Sequence, residues 1–97
     1  MDIDELISIV TLKKLEDNQF EGQNYKTVWG RIFGGQVLSQ SLHAAYQTVP
    51  ENRIAHSMHA YFILPGDLNE PVIYEVDNIR NGGSFTTRRV VAFQKGR

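Results

Sequence analysis

Cysteine is absent from this chain of 97 residues, and its absence excludes a disulfide scaffold, a thiolate metal site and a cysteine nucleophile. An excess of charge of one sign is also lacking, because 10 basic and 11 acidic side chains leave a formal net charge of −1. Such a chain gives no electrostatic reason to bind nucleic acid or an anionic membrane. We therefore expect no nucleic acid and no membrane among its partners.

Long hydrophobic runs are missing as well. No apolar stretch of the sequence approaches the ~18 residues that a membrane-spanning helix needs, and residues 1–5 are acidic where a secretory signal would be positively charged. With 41% hydrophobic and 22% charged residues, the chain has the composition of an ordinary globular domain. We expect a single domain over residues 1–97, located in the cytoplasm.

Two helical patterns are present. Four apolar residues at helical spacing predict a short helix over residues 3–10, with Asp2 or Asp4 as its N-terminal cap. A stronger pattern predicts a long helix over residues 35–48, which Pro50 prevents from continuing. The apolar stripe expected to be buried on this second helix consists of Val37, Leu38, Ser41, Leu42, Ala45 and Tyr46.

Alternation of side chains predicts the strands. Residues 54–64 alternate throughout, and one face is apolar apart from His56, so we expect that face to contact the long helix. Further strands are expected over residues 72–79 and 85–94, joined by a hairpin at residues 81–83. The long helix and these strands together indicate an α+β domain.

The remaining segments are less regular. Residues 13–23 are expected to be extended as far as Gly22, and residues 24–31 to form a loop. No strand follows residues 85–94, so this strand would lack one of its neighbours. Because an unpaired apolar strand edge aggregates unless a partner covers it, we expect an oligomer or a longer polypeptide.

The start of the long helix is the first candidate site. Gly34 and Gly35 open the helix, where free N–H groups and the helix dipole favour a carbonyl oxygen, a carboxylate or a phosphate. Both are candidate substrate-binding residues, although they could equally let the helix start close to the sheet. Gln36 is a third candidate, which either donates a hydrogen bond to a substrate carbonyl or caps the helix start.

The strongest candidate for acid–base chemistry is His56, since an imidazole titrates near neutral pH. The alternative is a core histidine with its hydrogen bonds satisfied. His59 faces the opposite side of the same predicted strand, which argues against a shared metal ion. Arg88 is a candidate contact to a substrate phosphate, or else one half of a surface ion pair. No metal and no cofactor are predicted.

An ordered set of short motifs resembles a known family. The matching segments are Phe20-Glu21-Gly22-Gln23, Phe33-Gly34-Gly35-Gln36-Val37, His56-Ser57-Met58-His59-Ala60-Tyr61-Phe62, Pro65-Gly66-Asp67, Gly83-Ser84-Phe85 and Arg88-Arg89-Val90. In this order the segments from Leu12 to Arg97 resemble the N-terminal half of acyl-CoA thioesterase II, a double hot-dog protein. The sequence departs from the usual form at Leu64, where an Arg often stands, which puts a charged contact to coenzyme A there in doubt.

The resemblance implies a hot-dog fold, in which a curved antiparallel sheet wraps around one long central helix, here without its final strand. It also implies hydrolysis of fatty acyl-CoA to free fatty acid and CoA, with His56 aligned to a position linked to catalysis. In the family two units are usually fused, and the Asp, Gln and Ser or Thr that orient water lie mainly in the C-terminal one. The expected partner is therefore a second hot-dog unit, supplied by a homo-oligomer or by a missing C-terminal half.

Two alternatives remain open on the sequence. A non-catalytic hot-dog module would bind acyl-CoA or only mediate assembly. A dehydratase-type hot-dog enzyme would need an acid beside His56, and the sequence names none.

Overall fold

The computed structural model describes residues 2–26 and 32–95, and their secondary structure alternates between helices and antiparallel strands. In chain order the elements are α1 (Ile3–Val10), β1 (Lys13–Glu16), β2 (Gln19–Gly22), α2 (Gly34–Tyr46), β3 (Val72–Asn81) and β4 (Thr86–Phe93). The predicted loop over residues 24–31 is irregular up to residue 26, and its remainder lies outside the described residues.

The first helix forms where the periodicity predicted it. The Asp2 carboxylate caps α1 by accepting a hydrogen bond of 2.8 Å from the backbone N–H of Glu5. Most of α1 is exposed, and only Ile9 is buried. The N-terminal cap and one apolar anchor thus hold a short helix that would be marginal by itself.

The strands form one antiparallel sheet in the order β1-β2-β3-β4. The extended segment predicted over residues 13–23 is a hairpin of two short strands, because the chain reverses between Glu16 and Gln19. The strands predicted over residues 72–79 and 85–94 are confirmed as β3 and β4, and their turn is closed by the Gly82 N–H donating to the Phe85 carbonyl at 2.8 Å.

The core lies between one face of β3 and α2. Val72, Tyr74 and Val76 alternate along β3 and are at most 3% exposed, and they contact Phe20 of β2 and Ala44 of α2. Each such side chain contributes about 1.5–3 kcal/mol when it is removed from water. The helix is therefore held against the middle of the sheet, as the hot-dog resemblance implied.

The prediction of which face of α2 is buried was wrong. The residues of α2 that the fold buries are Gln36, Gln40 and Ala44, whereas Leu38, Leu42 and Tyr46 of the predicted stripe are only half-buried. The reason is that both glutamine amides have all the partners they need inside the fold. A buried polar group with complete hydrogen bonds does not incur the penalty that a periodicity argument assigns to it.

Gln40 is the centre of this polar core. Its Nε2 donates to the carbonyl oxygens of Ile9 (2.7 Å) and Gln23 (2.8 Å), and its Oε1 accepts from the Tyr74 hydroxyl (2.5 Å). Burial raises the pKa of Tyr74, so its hydroxyl stays protonated as the donor. Gly22 leaves the space for this amide, because a Cβ at that position would overlap the end of the Gln40 side chain.

The strand predicted over residues 54–64 does not form, and this is the largest difference from the sequence prediction. No residue of this segment is paired in the sheet, and its apolar side chains are exposed: Ile54 by 84%, Tyr61 by 91% and Ile63 by 86%. A strand needs a neighbour for its backbone groups. Among the described residues no strand pairs with it, although β4 lies at the edge of the sheet.

Neither α1 nor α2 has the length and apolar character that a membrane-crossing helix requires, and no other helix occurs in the described residues.

Candidate functional site

The N-terminus of α2 has backbone N–H groups without an acceptor among the described residues. The N-cap residue is Phe33, whose backbone is extended and whose side chain makes no capping hydrogen bond. The Gln36 N–H donates to the Phe33 carbonyl at 3.0 Å. The N–H groups of Gly34 and Gly35 have no acceptor among the described residues. First-turn N–H groups of this kind, at the positive end of the dipole, are suited to an oxyanion or a carbonyl oxygen.

Two aromatic rings flank these glycines. A Cβ at Gly34 would lie 3.6 Å from the ring of Phe62, and a Cβ at Gly35 would lie only 2.6 Å from the ring of Phe33. Both rings are more than half exposed. The glycines therefore let aromatic side chains approach the helix start closely, and the donors lie beside an apolar surface.

Gln36 lies beneath the helix start, with its side chain in the interior. It is 4% exposed, its Oε1 accepts from the Tyr25 N–H (2.7 Å), and its Nε2 donates to Asn24 Oδ1 (2.8 Å). The oxygen and the nitrogen of this amide thus both tie the preceding loop to α2. Substrate binding by Gln36 remains a prediction.

Sequence reasoning missed Asn24, which links this helix start to the turn before β3. Its Nδ2 donates to the carbonyl oxygens of Glu70 (2.5 Å), Leu68 (3.2 Å) and Asp67 (3.4 Å). Gln94 holds the same turn from the other side, donating to Asp67 and Glu70 at 2.8 Å each. A single loop asparagine carries no sequence signal for such a role.

Asp67 has a structural role in the turn before β3. Its Oδ1 accepts from the Asn69 N–H (2.9 Å), and its Oδ2 pairs with Lys95 (3.1 Å). The backbone hydrogen bond from Asn69, followed by the one from Lys95, lowers the pKa of this carboxyl. Asp67 therefore caps its own turn and stays ionised, which makes it a poor general base near neutral pH.

His56 is exposed. Its ring contacts Phe85 at the start of β4, with a centroid distance of 5.8 Å and an interplanar angle of 52°. Its ring nitrogens have no hydrogen-bond partner among the described residues, and neighbouring His59 lies 3.4 Å from the Ser57 hydroxyl. Within residues 2–26 and 32–95, no three His, Cys, Asp or Glu side chains are clustered as metal ligands.

The segment that carries His56 extends along α2 from one end to the other. Near its start, the Ala55 N–H donates to the Tyr46 hydroxyl (2.6 Å) at the C-terminal end of the helix. Near its end, Phe62 reaches Gly34 at the N-terminal end. A helix of 13 residues spans about 20 Å. The structure therefore brings Gly34, Gly35 and Gln36 together, and it leaves His56 toward the opposite end.

Arg88 also lies at the C-terminal end of α2. Its Nε donates to the Thr48 hydroxyl (2.7 Å) and its Nη2 to the Thr48 carbonyl (2.8 Å), where the negative end of the helix dipole favours a cation. Arg89 points to the opposite face and pairs with Asp77 at 3.2 Å. The two arginines thus lie on opposite faces of β4, and the capping role of Arg88 was not predicted from the sequence.

The His43 imidazole, on α2, is half-buried. Its Nδ1 is inaccessible and has no hydrogen-bond partner among the described residues. Burial lowers the pKa of His43.

Two shallow depressions occur elsewhere on the described surface. One is lined by Glu16, Asp17, Asn18, Gln19, Glu75 and Val76, and the other by Glu5, Ile9, Asn24, Tyr25 and Lys26. Neither contains a predicted catalytic or substrate-binding residue.

Comparison with known proteins identifies the family of the chain. The family described as "Acyl-CoA thioesterase N-terminal domain" matches residues 24–96. The chain is 44% identical over 92 residues to "Acyl-CoA thioesterase 2" of Haemophilus influenzae, covering 95% of this chain and 32% of that protein. It is 40% identical over 90 residues to human "Acyl-coenzyme A thioesterase 8", covering 93% and 28% respectively.

Solved structures share the fold as well. A tesB protein of Mycobacterium avium subs paratuberculosis superposes with a TM-score of 0.93 at 33% identity, covering 99% of this chain and 39% of that one. The acyl-CoA thioesterase II TesB2 of Mycobacterium marinum gives 0.85 at 41% identity, covering 96% and 34%. The chain thus spans about a third of the length of these relatives. It belongs to the acyl-CoA thioesterase family and corresponds to its N-terminal hot-dog domain.

Proposed function

We propose that the protein hydrolyses fatty acyl-CoA thioesters to free fatty acid and CoA, with residues 1–97 acting as one hot-dog domain of the enzyme. The observation that carries the proposal is the identity shared with named acyl-CoA thioesterases over nearly the whole chain. The start of α2 supports it, because unoccupied donors lie beside exposed aromatic rings. The donors suit a thioester carbonyl, and the rings suit an acyl chain.

In this proposal Gly34 and Gly35 bind the thioester carbonyl oxygen. When water attacks, the carbonyl becomes an oxyanion, and each well-placed N–H donor stabilises it by about 2.7–4 kcal/mol. Phe33 and Phe62 form the apolar wall next to it. Gln36 acts here by fixing the helix start to Asn24 and Tyr25.

His56 is proposed as the general base or hydrogen-bond donor that the family alignment indicated. Because it lies toward the opposite end of α2 from Gly34, one chain does not present both groups to a single thioester. We propose that the second hot-dog unit brings a histidine and a helix start together. That unit would also cover the exposed apolar side chains of residues 54–64.

The second unit is supplied either by another copy of this chain or by further polypeptide. The relatives are about three times as long as this chain, which favours the latter. Cytoplasmic location remains a prediction from the composition, and cell fractionation with an antibody to the chain tests it.

The test is thiol release from a panel of acyl-CoA esters, using the 97-residue chain and the complete reading frame that encodes it. We expect turnover when two units are present, and a loss of about 100-fold or more in kcat for His56→Ala. The matched control is His59→Ala, three residues away and likewise exposed, which should retain at least half of the activity.

The outcomes separate the proposed function from its alternatives. Folded two-unit protein that binds acyl-CoA without releasing thiol would be a non-catalytic module. Full activity in His56→Ala would leave the thioesterase assignment intact and remove His56 from it. Turnover by the short chain as a dimer would identify self-pairing as the source of the second unit.

A further inference from the structure

Three arginines meet at the turn between β3 and β4, and together we call Arg53, Arg80 and Arg88 the arginine corner. The Arg53 guanidinium donates to the carbonyl oxygens of Gly82 (2.8 Å), Gly83 (2.8 Å) and Ser84 (3.2 Å). Arg53 therefore lies against the backbone of this turn.

Arg88 and Arg80 complete the cluster. Arg88 Nη1 donates to the Arg80 carbonyl at 3.1 Å, in addition to its bonds with Thr48. The Arg80 side chain folds over the turn, so that its Nε lies 3.1 Å from where a Cβ on Gly82 would be. The Arg80 guanidinium makes no hydrogen bond to any described residue.

None of the described acidic side chains forms an ion pair with the three arginines of the corner. Within residues 2–26 and 32–95 the ion pairs are Lys14–Asp17, Arg89–Asp77 and the pairs of Lys95 with Asp67 and Glu70, so none involves the corner. Carbonyl oxygens satisfy individual N–H groups without cancelling a full charge. Like charges held together without a counter-ion disfavour the folded state, and a bound anion removes that cost.

Donors remain available to such an anion. Of the five N–H groups on each guanidinium, Arg53 uses three, Arg88 uses four, and Arg80 uses none toward described residues. The turn itself is accessible, since Gly83 is exposed and a Cβ there would meet nothing within 4 Å. A fork of guanidinium donors matches phosphate oxygens in pairs, which an ammonium group cannot do.

The position of the corner fits the proposed substrate. Arg88 binds Thr48, just beyond the C-terminal end of α2, whereas Gly34 and Gly35 form its N-terminal end. The two places are separated by the length of the helix, about 20 Å. In acyl-CoA the thioester and the phosphates are likewise separated by the extended pantetheine arm.

We propose that the arginine corner binds the phosphate groups of the nucleotide end of acyl-CoA, with Arg80 as the residue that contributes to substrate selection. This inference rests on the proposed function for the identity of the ligand. The chemistry it requires, a ligand that bears phosphate groups, stands on the three arginines alone.

The test compares two substrates in the complete reading frame: octanoyl-CoA, and the octanoyl thioester of N-acetylcysteamine, which has no phosphate. Arg80→Gln should lower the ratio of kcat/KM for octanoyl-CoA to kcat/KM for the truncated thioester by about tenfold, equal to ~1.4 kcal/mol. Arg89→Gln is the matched control, because its charge is paired on the opposite face, and it should change the ratio by less than about twofold. An unchanged ratio in Arg80→Gln would overturn the inference.

If neither substrate is hydrolysed, the proposed function fails and the corner is judged by binding alone. Titration calorimetry with adenosine 3′,5′-bisphosphate should then show binding that Arg80→Gln weakens about tenfold and that Arg89→Gln leaves unchanged. Inorganic phosphate serves as the second ligand. Equal affinity for phosphate and the bisphosphate would assign the corner to free phosphate, and no binding of either would overturn the proposal.

Discussion

Strand β3, where it contacts α2, and the segment over residues 54–64 are comparably apolar in sequence. They differ in burial, because the fold covers the first and leaves the second exposed. Val72, Tyr74 and Val76 are almost completely buried, while Ile54 and Ile63 are more than 80% exposed. The difference lies in the neighbours. β3 pairs with a strand on each side, and residues 54–64 pair with none among the described residues. Alternating apolar side chains therefore show that a segment can be buried. Burial occurs only where a neighbouring element covers that segment.

The change expected to disturb the packed region most is Gln40→Leu. It would leave the Tyr74 hydroxyl and the Ile9 carbonyl oxygen buried without partners, and it would remove the hydrogen bond to the Gln23 carbonyl. We expect the free energy of unfolding to fall by about 3 kcal/mol or more, measured by urea denaturation. Gln47→Leu, at an exposed position on the same helix, is the control. A loss below ~1 kcal/mol for Gln40→Leu would show that the polar core is dispensable.

Arg88→Gln should have the next largest effect. It removes two hydrogen bonds to Thr48 at the end of α2, and we expect a loss of about 2 kcal/mol in the free energy of unfolding. Its neighbour Arg89 makes only an exposed ion pair, so Arg89→Gln should cost at most ~1 kcal/mol. Equal losses in the two variants would contradict the assignment of Arg88 to the helix end.

Substitutions in the exposed segment over residues 54–64 should destabilise the fold less than substitutions in the core. Ile63→Ser should change the free energy of unfolding of the 97-residue chain by no more than about 0.5 kcal/mol, because its side chain is already in water. Val76→Ala should cost about 2 kcal/mol, since it leaves a cavity beneath α2. Urea denaturation of both variants checks the contrast, and a loss of more than ~1 kcal/mol for Ile63→Ser would mean that the segment is packed.

The smallest expected effect is the pH dependence due to His43. Burial lowers the pKa of this imidazole in the folded state, so the unfolded chain binds a proton more readily. The contribution of His43 to stability is therefore complete above its ordinary pKa of 6.5 and falls as the pH drops below it. The Asp67 carboxyl titrates at lower pH and does not enter this window.

His43→Gln should flatten the dependence of the unfolding free energy on pH between about 7.5 and 5. The control is His59→Gln, at an exposed position, which should leave the slope unchanged. The same slope in the wild type and in His43→Gln would remove His43 from the account.

Local signals predicted much of the fold correctly. The helix over residues 3–10 rests on spacing and one cap, and β3 and β4 rest on alternation and a glycine turn, all of which are properties of neighbouring residues. Residues 54–64 had an equally clear local pattern, and yet the predicted strand does not form, because pairing depends on a neighbour that lies far away in sequence. The burial of Gln40 was not predicted for a related reason, since its three hydrogen-bond partners come from distant parts of the chain.

In the candidate site, too, features with a local cause were predicted and features that depend on distant residues were not. The helix start at Gly34 was predictable because glycine at a helix N-terminus has a local consequence. The capping role of Arg88 and the clamp made by Asn24 were not, since both act on backbone carbonyls more than 35 residues away. The distance between His56 and the helix start also required the structure, as only a contact at each end of α2 reveals it.

We propose that this chain is a folded hot-dog unit and that a second unit covers its residues 54–64. Amide hydrogen exchange tests it most directly, measured on the 97-residue chain and on the complete reading frame. We predict that amides of residues 54–64 exchange at nearly unprotected rates in the short chain, while those of β3 are protected, and that the second unit protects both. Strong protection of residues 54–64 in the monomeric short chain, or none in the complete protein, would contradict the account.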